Sequence, residues 1–208
     1  MKKLKIPEKT VERLPLYLRR SEKLHAMGEN SVTSQKFVKG LPGINSDNLR
    51  KDLSYFGNYG KKGSGYDISK LMEELRTILK LHIETPVALV GTGNLGTALL
   101  NHQEFNRWGF RITAAFDNSP RVIGDQIGGI LVEPIQDLES TVRKKKIQAG
   151  MIAVPADSAQ SVSDTLTSAG IKGILNFAPA LLDVPDEVTV KQVDITSKLK
   201  ELNYYLQE

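Results

Sequence analysis

The sequence predicts an α/β chain in two parts: a winged helix-turn-helix domain over residues 1–82 and a Rossmann-type parallel-sheet domain over 83–194, followed by a terminal helix over 195–208. Three observations predict it. Residues 1–82 carry 17 Lys and Arg against 9 Asp and Glu, whereas 83–208 carry 11 against 15, so a basic part is joined to an acidic one. A Gly-x-Gly-x-x-Gly pattern follows a short apolar run and opens an apolar helical pattern in "TPVALVGTGNLGTALLNHQEF". Beyond it, strand-like apolar runs alternate with helical ones.

The remaining composition narrows the function classes. The 208 residues include no cysteine, which excludes disulfides, thiolate metal sites and a cysteine nucleophile. The basic N-terminus has no apolar run behind it, and no run approaches the roughly 20 residues that cross a bilayer. A soluble, cytoplasmic protein without membrane attachment is expected.

Within the basic part, Pro7 suits a first helical turn. Pro15 should break that helix and leave a second piece from Leu16 to Met27, closed by Gly28. In "SVTSQKFVKGL", Thr33 is the expected N-cap, Phe37, Val38 and Leu41 the inward face, and Gly40 the stop. A turn at Pro42-Gly43 and a cap at Asn45 or Ser46 then begin a third helix ending at Gly57. Leu49, Leu53 and Phe56 recur at helical spacing and face inward; Asp47, Arg50, Lys51 and Ser54 face out. The stretch "YFGNYGKKGSGY" reads as a hairpin, with Gly60, Gly63 and Gly65 in turns and Lys61-Lys62 at the tip. Three helices and a hairpin of this kind form a winged helix, in which Arg50 and Lys51 reach base edges or phosphates and the wing lysines neutralise phosphates. A surface hairpin with solvated lysines fits the same pattern.

In the second part, Gly91 makes the tight turn, Gly93 lets backbone amides approach a pyrophosphate, and Gly96 lets the helix pack on the sheet, with Thr92, Asn94 and Leu95 between them. "RITAAFD" ends the next strand at Asp117, 21 residues after Gly96, and is followed by Asn118. An acid there accepts hydrogen bonds from an adenosine ribose and repels a 2′-phosphate, which favours NAD(H) over NADP(H), although Arg121 is near. Strands follow at "IQAGMIAVP", "IKGILNFAP" and "VTVKQVD", with a helix at "DSAQSVSDTLTSAG", and "GGILVEPIQDLESTVRKKK" gives a short strand and then a helix. The loops at Val154-Pro155 and Phe177-Ala178-Pro179 lie where a parallel sheet binds its ligand; plain turns are the alternative. Arg143 to Lys146 reads as a cationic helix terminus.

No catalytic constellation stands out: no Ser-His-Asp grouping, paired carboxylates or metal cluster, and His102 is expected on the first helix of the Rossmann unit. A small NAD-dependent oxidoreductase with a basic extension remains the alternative. The terminal segment "ITSKLKELNYYLQE" places Ile195, Leu199, Leu202 and Leu206 on one stripe, capped by Thr196 or Ser197. It docks either on its own domain or on a partner subunit.

Taken in order, "RLPLYLR", "LRKDLSYFGNYGKKGSGYD", "VGTGNLGTALL", "IKGILNFAP" and "VDITSKL" resemble the Rex family of bacterial NADH-sensing transcriptional repressors over essentially the whole chain. The resemblance implies a homodimer with exchanged C-terminal helices that binds palindromic double-stranded operator DNA when NADH is scarce and leaves it when NADH binds. It implies that the chain is not an enzyme. By the same resemblance, residues 46–56, including Ser46, Asp47, Arg50, Lys51, Ser54 and Tyr55, form the recognition helix, and 60–66, including Lys61, Lys62 and Gly63, the wing. Gly91 to Gly96 form the pyrophosphate loop and Asp117 the ribose acid. Arg19 and Asp194 resemble a charged pair linking the DNA-binding domain to the swapped helix in one state. At the position of His102 some members have tyrosine, which meets that aspartate in the other state, and this chain departs from them there.

Overall fold

The computed structural model describes residues 6–61 and 65–206, which form two compact units, Met1–Ile83 and Glu84–Glu208. In the first unit, α1 runs from Glu8 to Ala26 without interruption. The break expected at Pro15 is absent. Proline lacks the N–H that would bond the Val11 carbonyl, but both residues lie on the exposed face, where water can satisfy that carbonyl. Meanwhile Leu14, Tyr17, Leu18 and Leu24 are buried and hold both halves of the helix to the same core. Gly28 closes α1 with φ +78°, as expected.

β1 (Ser31–Val32) precedes α2 (Ser34–Val38), whose N-cap Thr33 accepts from the Lys36 N–H. α3 (Ser46–Ser54) begins with a reciprocal cap: the Asn45 side chain accepts from the Asn48 N–H, and the Asn48 side chain accepts from the Asn45 N–H. The expected hairpin is present as β2 (Gly60–Lys61) and β3 (Gly65–Asp67), antiparallel; its third strand, β1, was not anticipated, because two residues are too short to show periodicity. Gly65 is forced: at φ +75° a side chain would meet the Val32 carbonyl oxygen at 2.1 Å. α4 (Ile68–Ile78) closes the unit from its cap Asp67. Phe37 packs edge-on to Tyr17 and against Tyr66, each at 6.2 Å between ring centroids, joining α1, α2 and β3.

The second unit is built on a seven-stranded sheet. Its strands are β4 (Thr85–Val90), β5 (Phe110–Asp117), β6 (Gln126–Ile127), β7 (Ile130–Pro134), β8 (Ala149–Ile152), β9 (Gly173–Asn176) and β10 (Thr189–Gln192), in the spatial order β10-β9-β8-β4-β5-β7-β6. All pairs are parallel except the β6–β7 edge. Helices α5 (Asn94–Leu100), α6 (Glu104–Arg107), α7 (Leu138–Lys144) and α8 (Ala156–Ser168) connect them. β4 explains the layering. Its Val87 and Leu89 pack with Leu100, Ala115 and Met151 on one face, while Ala88 and Val90 pack with Phe116, Leu138 and Leu166 on the other. A strand buried on both faces reads as an unbroken apolar run, which is what the sequence displays.

α9 (Ile195–Leu206) ends the described chain. Its cap is Asp194, which accepts from the Ser197 N–H at 2.9 Å and from its hydroxyl at 2.6 Å, instead of the expected Thr196 or Ser197. A carboxylate one residue ahead of the first helical turn can reach the free N–H groups, which side chains within the turn cannot. Among the described residues no helix is long and apolar enough to cross a membrane.

Candidate nucleotide crevice and nucleic-acid interface

In the sheet, the chain proceeds from β4 outward through β5 to β7, then returns to the other side of β4 and proceeds through β8 to β10. The loops after β4 and β8 therefore leave in opposite directions and open a crevice at the carboxyl ends of the strands, the place where such sheets take a ligand. The glycine loop borders it. At Gly91, φ +93°, a side chain would meet the Ala153 carbonyl oxygen at 2.6 Å, so this turn must pass tightly over the β8 loop. At Gly96 it would meet the Gly91 oxygen at 1.8 Å, which fixes the start of α5 against the turn. At Gly93 it would meet nothing within 4 Å. Two glycines are thus demanded by the protein's own packing, and the third leaves backbone open to an approaching group.

Asp117 ends β5 beside this loop. Its carboxylate accepts from the Thr92 N–H at 2.7 Å, the Thr92 hydroxyl at 2.8 Å and the Ser119 N–H at 2.9 Å. Burial pushes its pKa up, but the donors from Thr92, Ser119 and Asn118 outweigh it and hold the carboxyl below the usual range. Asp117 is therefore ionised at neutral pH. Asn118 and Leu95 are exposed, and Thr92 is buried.

Val154 and Pro155 lie in the loop between β8 and α8, where Pro155 occupies the cap position. Phe177, Ala178 and Pro179 follow β9 and are held by a polar network that the sequence did not reveal. Asn176, fully buried, donates to the Ala180 carbonyl at 2.9 Å and to the Gln192 side chain at 2.8 Å, and accepts from the Ala178 N–H at 3.0 Å. Gln192 in turn donates to the Ala178 carbonyl at 2.7 Å. The loop is thereby tied to the strand that ends two residues before Asp194. The signal lay in the "NFAP" turn, where an asparagine precedes a proline-closed loop.

His102 follows α5 instead of lying on it, because the helix ends at Leu100 with Asn101 as its C-cap. It is exposed, and its ring packs edge-on to Phe105 at 4.8 Å. Arg143 and Lys144 do close α7, and Lys146 follows in a left-handed turn. Among the described residues no group of three or more His, Asp or Glu could hold a metal ion.

In the other unit, Asp47, Arg50, Lys51 and Ser54 stand on the exposed face of α3, while Leu49 and Leu53 are buried. Ser46 is half-buried at the first position of the helix, and Tyr55, also half-buried, is its C-cap. Lys61 contributes its backbone to β2; Lys62 and Gly63 lie outside the described residues. A groove of about 470 Å³ opens between α3, the start of α2 and the β2–β3 hairpin, lined by Ser34, Arg50, Ser54, Asn58, Gly60 and Tyr66 among others. The face behind α3 is pinned by Asp52, which the sequence reading passed over. Its carboxylate, 1 % exposed, accepts from Thr10 at 2.8 Å, from Arg13 at 2.6 and 2.7 Å and from Tyr17 at 2.7 Å. Arg19, further along α1, is exposed.

Comparison with known proteins covers both units. A family model described as "CoA binding domain" matches residues 82–180, and one described as "Putative DNA-binding protein N-terminus" matches 5–54. The redox-sensing transcriptional repressor Rex of Brevibacillus brevis is 47 % identical over 202 residues, 97 % of either chain. That of Carboxydothermus hydrogenoformans is 44 % identical over 204 residues, 98 % of either chain. Among solved structures, RSP in complex with β-NAD+ and operator DNA superposes with a TM-score of 0.92 at 33 % identity, covering 98 % of this chain and 93 % of that one. RSP, a Rex-family repressor, in complex with β-NADH gives a TM-score of 0.89 at 32 % identity, covering 98 % and 95 %. A DNA-binding unit and a nucleotide-binding unit in one chain define a nucleotide-responsive transcriptional regulator. The chain belongs to the Rex family of redox-sensing transcriptional repressors, and is a regulator in place of the oxidoreductase considered as the alternative.

Proposed function

We propose that this protein represses transcription in the cytoplasm according to the NADH/NAD+ ratio: a homodimer holds palindromic operator DNA while NADH is scarce and releases it when NADH binds. The observation that carries the reading is the likeness, over 98 % of the chain, to a structure holding both NAD+ and operator DNA.

The crevice fits a dinucleotide. Gly93 leaves backbone open to a pyrophosphate, with Thr92, Asn94 and Leu95 around it, and Asp117, held ionised, pairs with a free ribose diol. A fixed negative charge at that point repels a phosphate on the ribose, which disfavours both NADP(H) and coenzyme A. Asn118, Val154, Pro155, Phe177, Ala178 and Pro179 complete the binding surface. On the DNA side, Ser46, Asp47, Arg50, Lys51, Ser54 and Tyr55 enter or flank the major groove, and Lys61, Lys62 and Gly63 follow the backbone as the wing.

The homodimer reading is supported by α9. It presents Ile195, Leu199, Leu202 and Leu206 at 51–69 % exposure, together with Tyr204 and Tyr205, and buries none of its residues. Such a face needs a second copy to cover it. Asp194 at the root of that helix, Arg19 on α1 and His102 beyond α5 are the groups through which the arrangement changes.

NADH displaces DNA only by binding the DNA-incompetent arrangement more tightly than the competent one. A labelled palindromic duplex, titrated by fluorescence anisotropy at fixed salt with NAD+ or NADH present, tests this. Tight binding abolished by NADH and retained with NAD+ supports the repressor. Binding indifferent to both nucleotides refutes redox sensing, and absence of binding to any duplex refutes the repressor.

A further inference from the structure

On α3, Arg50 does not extend freely into solvent. One terminal nitrogen donates to the Asp47 carboxylate at 2.5 Å, one helical turn earlier, and the other donates to the Ser34 hydroxyl at 3.0 Å, at the start of α2. The guanidinium is therefore gripped from two helices, at the wall of the groove between α3 and the hairpin. Arginine has five N–H donors. These two bonds leave the remainder available, in a plane whose orientation is set before any ligand arrives.

The carboxylate is out of place by charge alone. Asp47 stands on the same exposed face as Arg50 and Lys51, with its side chain 83 % exposed, in the part of the chain where cations outnumber acids. On a surface that meets polyphosphate, a negative charge weakens every complex regardless of sequence. An exposed pair on one helix face adds little to stability. Its value lies in geometry: a long, flexible arginine loses rotamer freedom when it docks, and an arginine already held in place loses less. A guanine edge takes arginine through two parallel bonds, which demand orientation, whereas a phosphate accepts it from many directions.

We infer that Asp47, with Ser34, is a specificity-determining positioning residue: it orients the Arg50 guanidinium toward a base edge and withholds it from the phosphates. The inference rests on the reading of α3 as the recognition helix. It distinguishes the charge of Asp47, which lowers affinity for all DNA, from its hydrogen bond, which raises preference for the right DNA.

The test uses the full-length protein with NAD+ present and two duplexes: one selected by the wild-type protein from a random library, and one of scrambled sequence. Affinities are read by anisotropy across a salt series, with folding checked by circular dichroism. D47A is expected to bind the scrambled duplex more tightly and to lose about tenfold in the selected-to-scrambled ratio, the size of one lost base contact. Its salt slope on the scrambled duplex should steepen by about one, as a released Arg50 takes a phosphate. D47N, which keeps an acceptor, should bind scrambled DNA more tightly yet retain most of the ratio. In the R50A background, D47A should leave the ratio unchanged, since nothing remains to be positioned. A ratio that D47A leaves intact or raises overturns the inference, as does an equal effect of D47A with and without Arg50. If R50A itself leaves selected-duplex affinity unchanged, the recognition-helix reading fails instead.

Discussion

Asp52 accepts four hydrogen bonds from three residues of α1 while almost fully buried, so α1 and α3 are joined by a carboxylate whose removal strands its partners. Burial alone would push its pKa up; the bonds from Arg13, Tyr17 and Thr10 reverse this and hold it below the usual carboxylate range. The bond to Asp52 raises the Arg13 pKa, and burial, with the bond to Asp52 added, raises that of Tyr17. Because the folded form holds this proton less tightly than the unfolded chain, the stabilisation is complete above the unfolded value of about 4 and is lost as pH falls through the folded value. D52N should therefore cost about 3 kcal/mol at neutral pH in chemical denaturation, and should flatten the acid limb of the stability curve. The glycine loop supplies a paired expectation. G96A places a methyl group on the Gly91 carbonyl and should reduce the yield of folded protein. G93A meets only open space, should cost no more than about 1 kcal/mol, and should weaken NADH binding measured by calorimetry.

Among the elements, those with strong local signals were legible. α3 was readable from its cap and the spacing of Leu49 and Leu53, and β4 from a short apolar run ending in glycine, because local propensity and tertiary burial agree there. α1 was misread at Pro15, because the packing that holds both halves of the helix is invisible in a local window. Restoring the missing donor with P15A should raise stability by about 1 kcal/mol or more, read as a shift in denaturation midpoint with unchanged slope. The link from Asn176 to Gln192 was illegible for a different reason: the two are 16 residues apart and meet only once β9 and β10 pair. Q192A should loosen the loop of Phe177, Ala178 and Pro179 and weaken NADH binding severalfold, with a smaller effect on operator affinity measured without nucleotide.

At the scale of the molecule, the charge division and the Gly-x-Gly-x-x-Gly motif point to a polyanion-facing part and a nucleotide-binding one. The order of the strands was not written locally; it follows from the parallel crossovers that short connecting helices impose. In the proposed switch, linkage requires that operator DNA weaken NADH binding by the same factor that NADH weakens operator binding. Calorimetric titration of NADH into protein alone and into protein saturated with duplex should return that factor, and unequal factors would exclude a single two-state dimer.

The bare apolar face of α9 has a consequence for genetics. If each subunit must be sealed by the terminal helix of its twin, two alleles expressed together will assemble into hybrids. A copy with an inactive α3 but an intact α9 would then enter most of the dimers in the cell and leave them with one reading head or none. Such an allele would be dominant over the normal one, whereas an allele lacking α9 would be recessive.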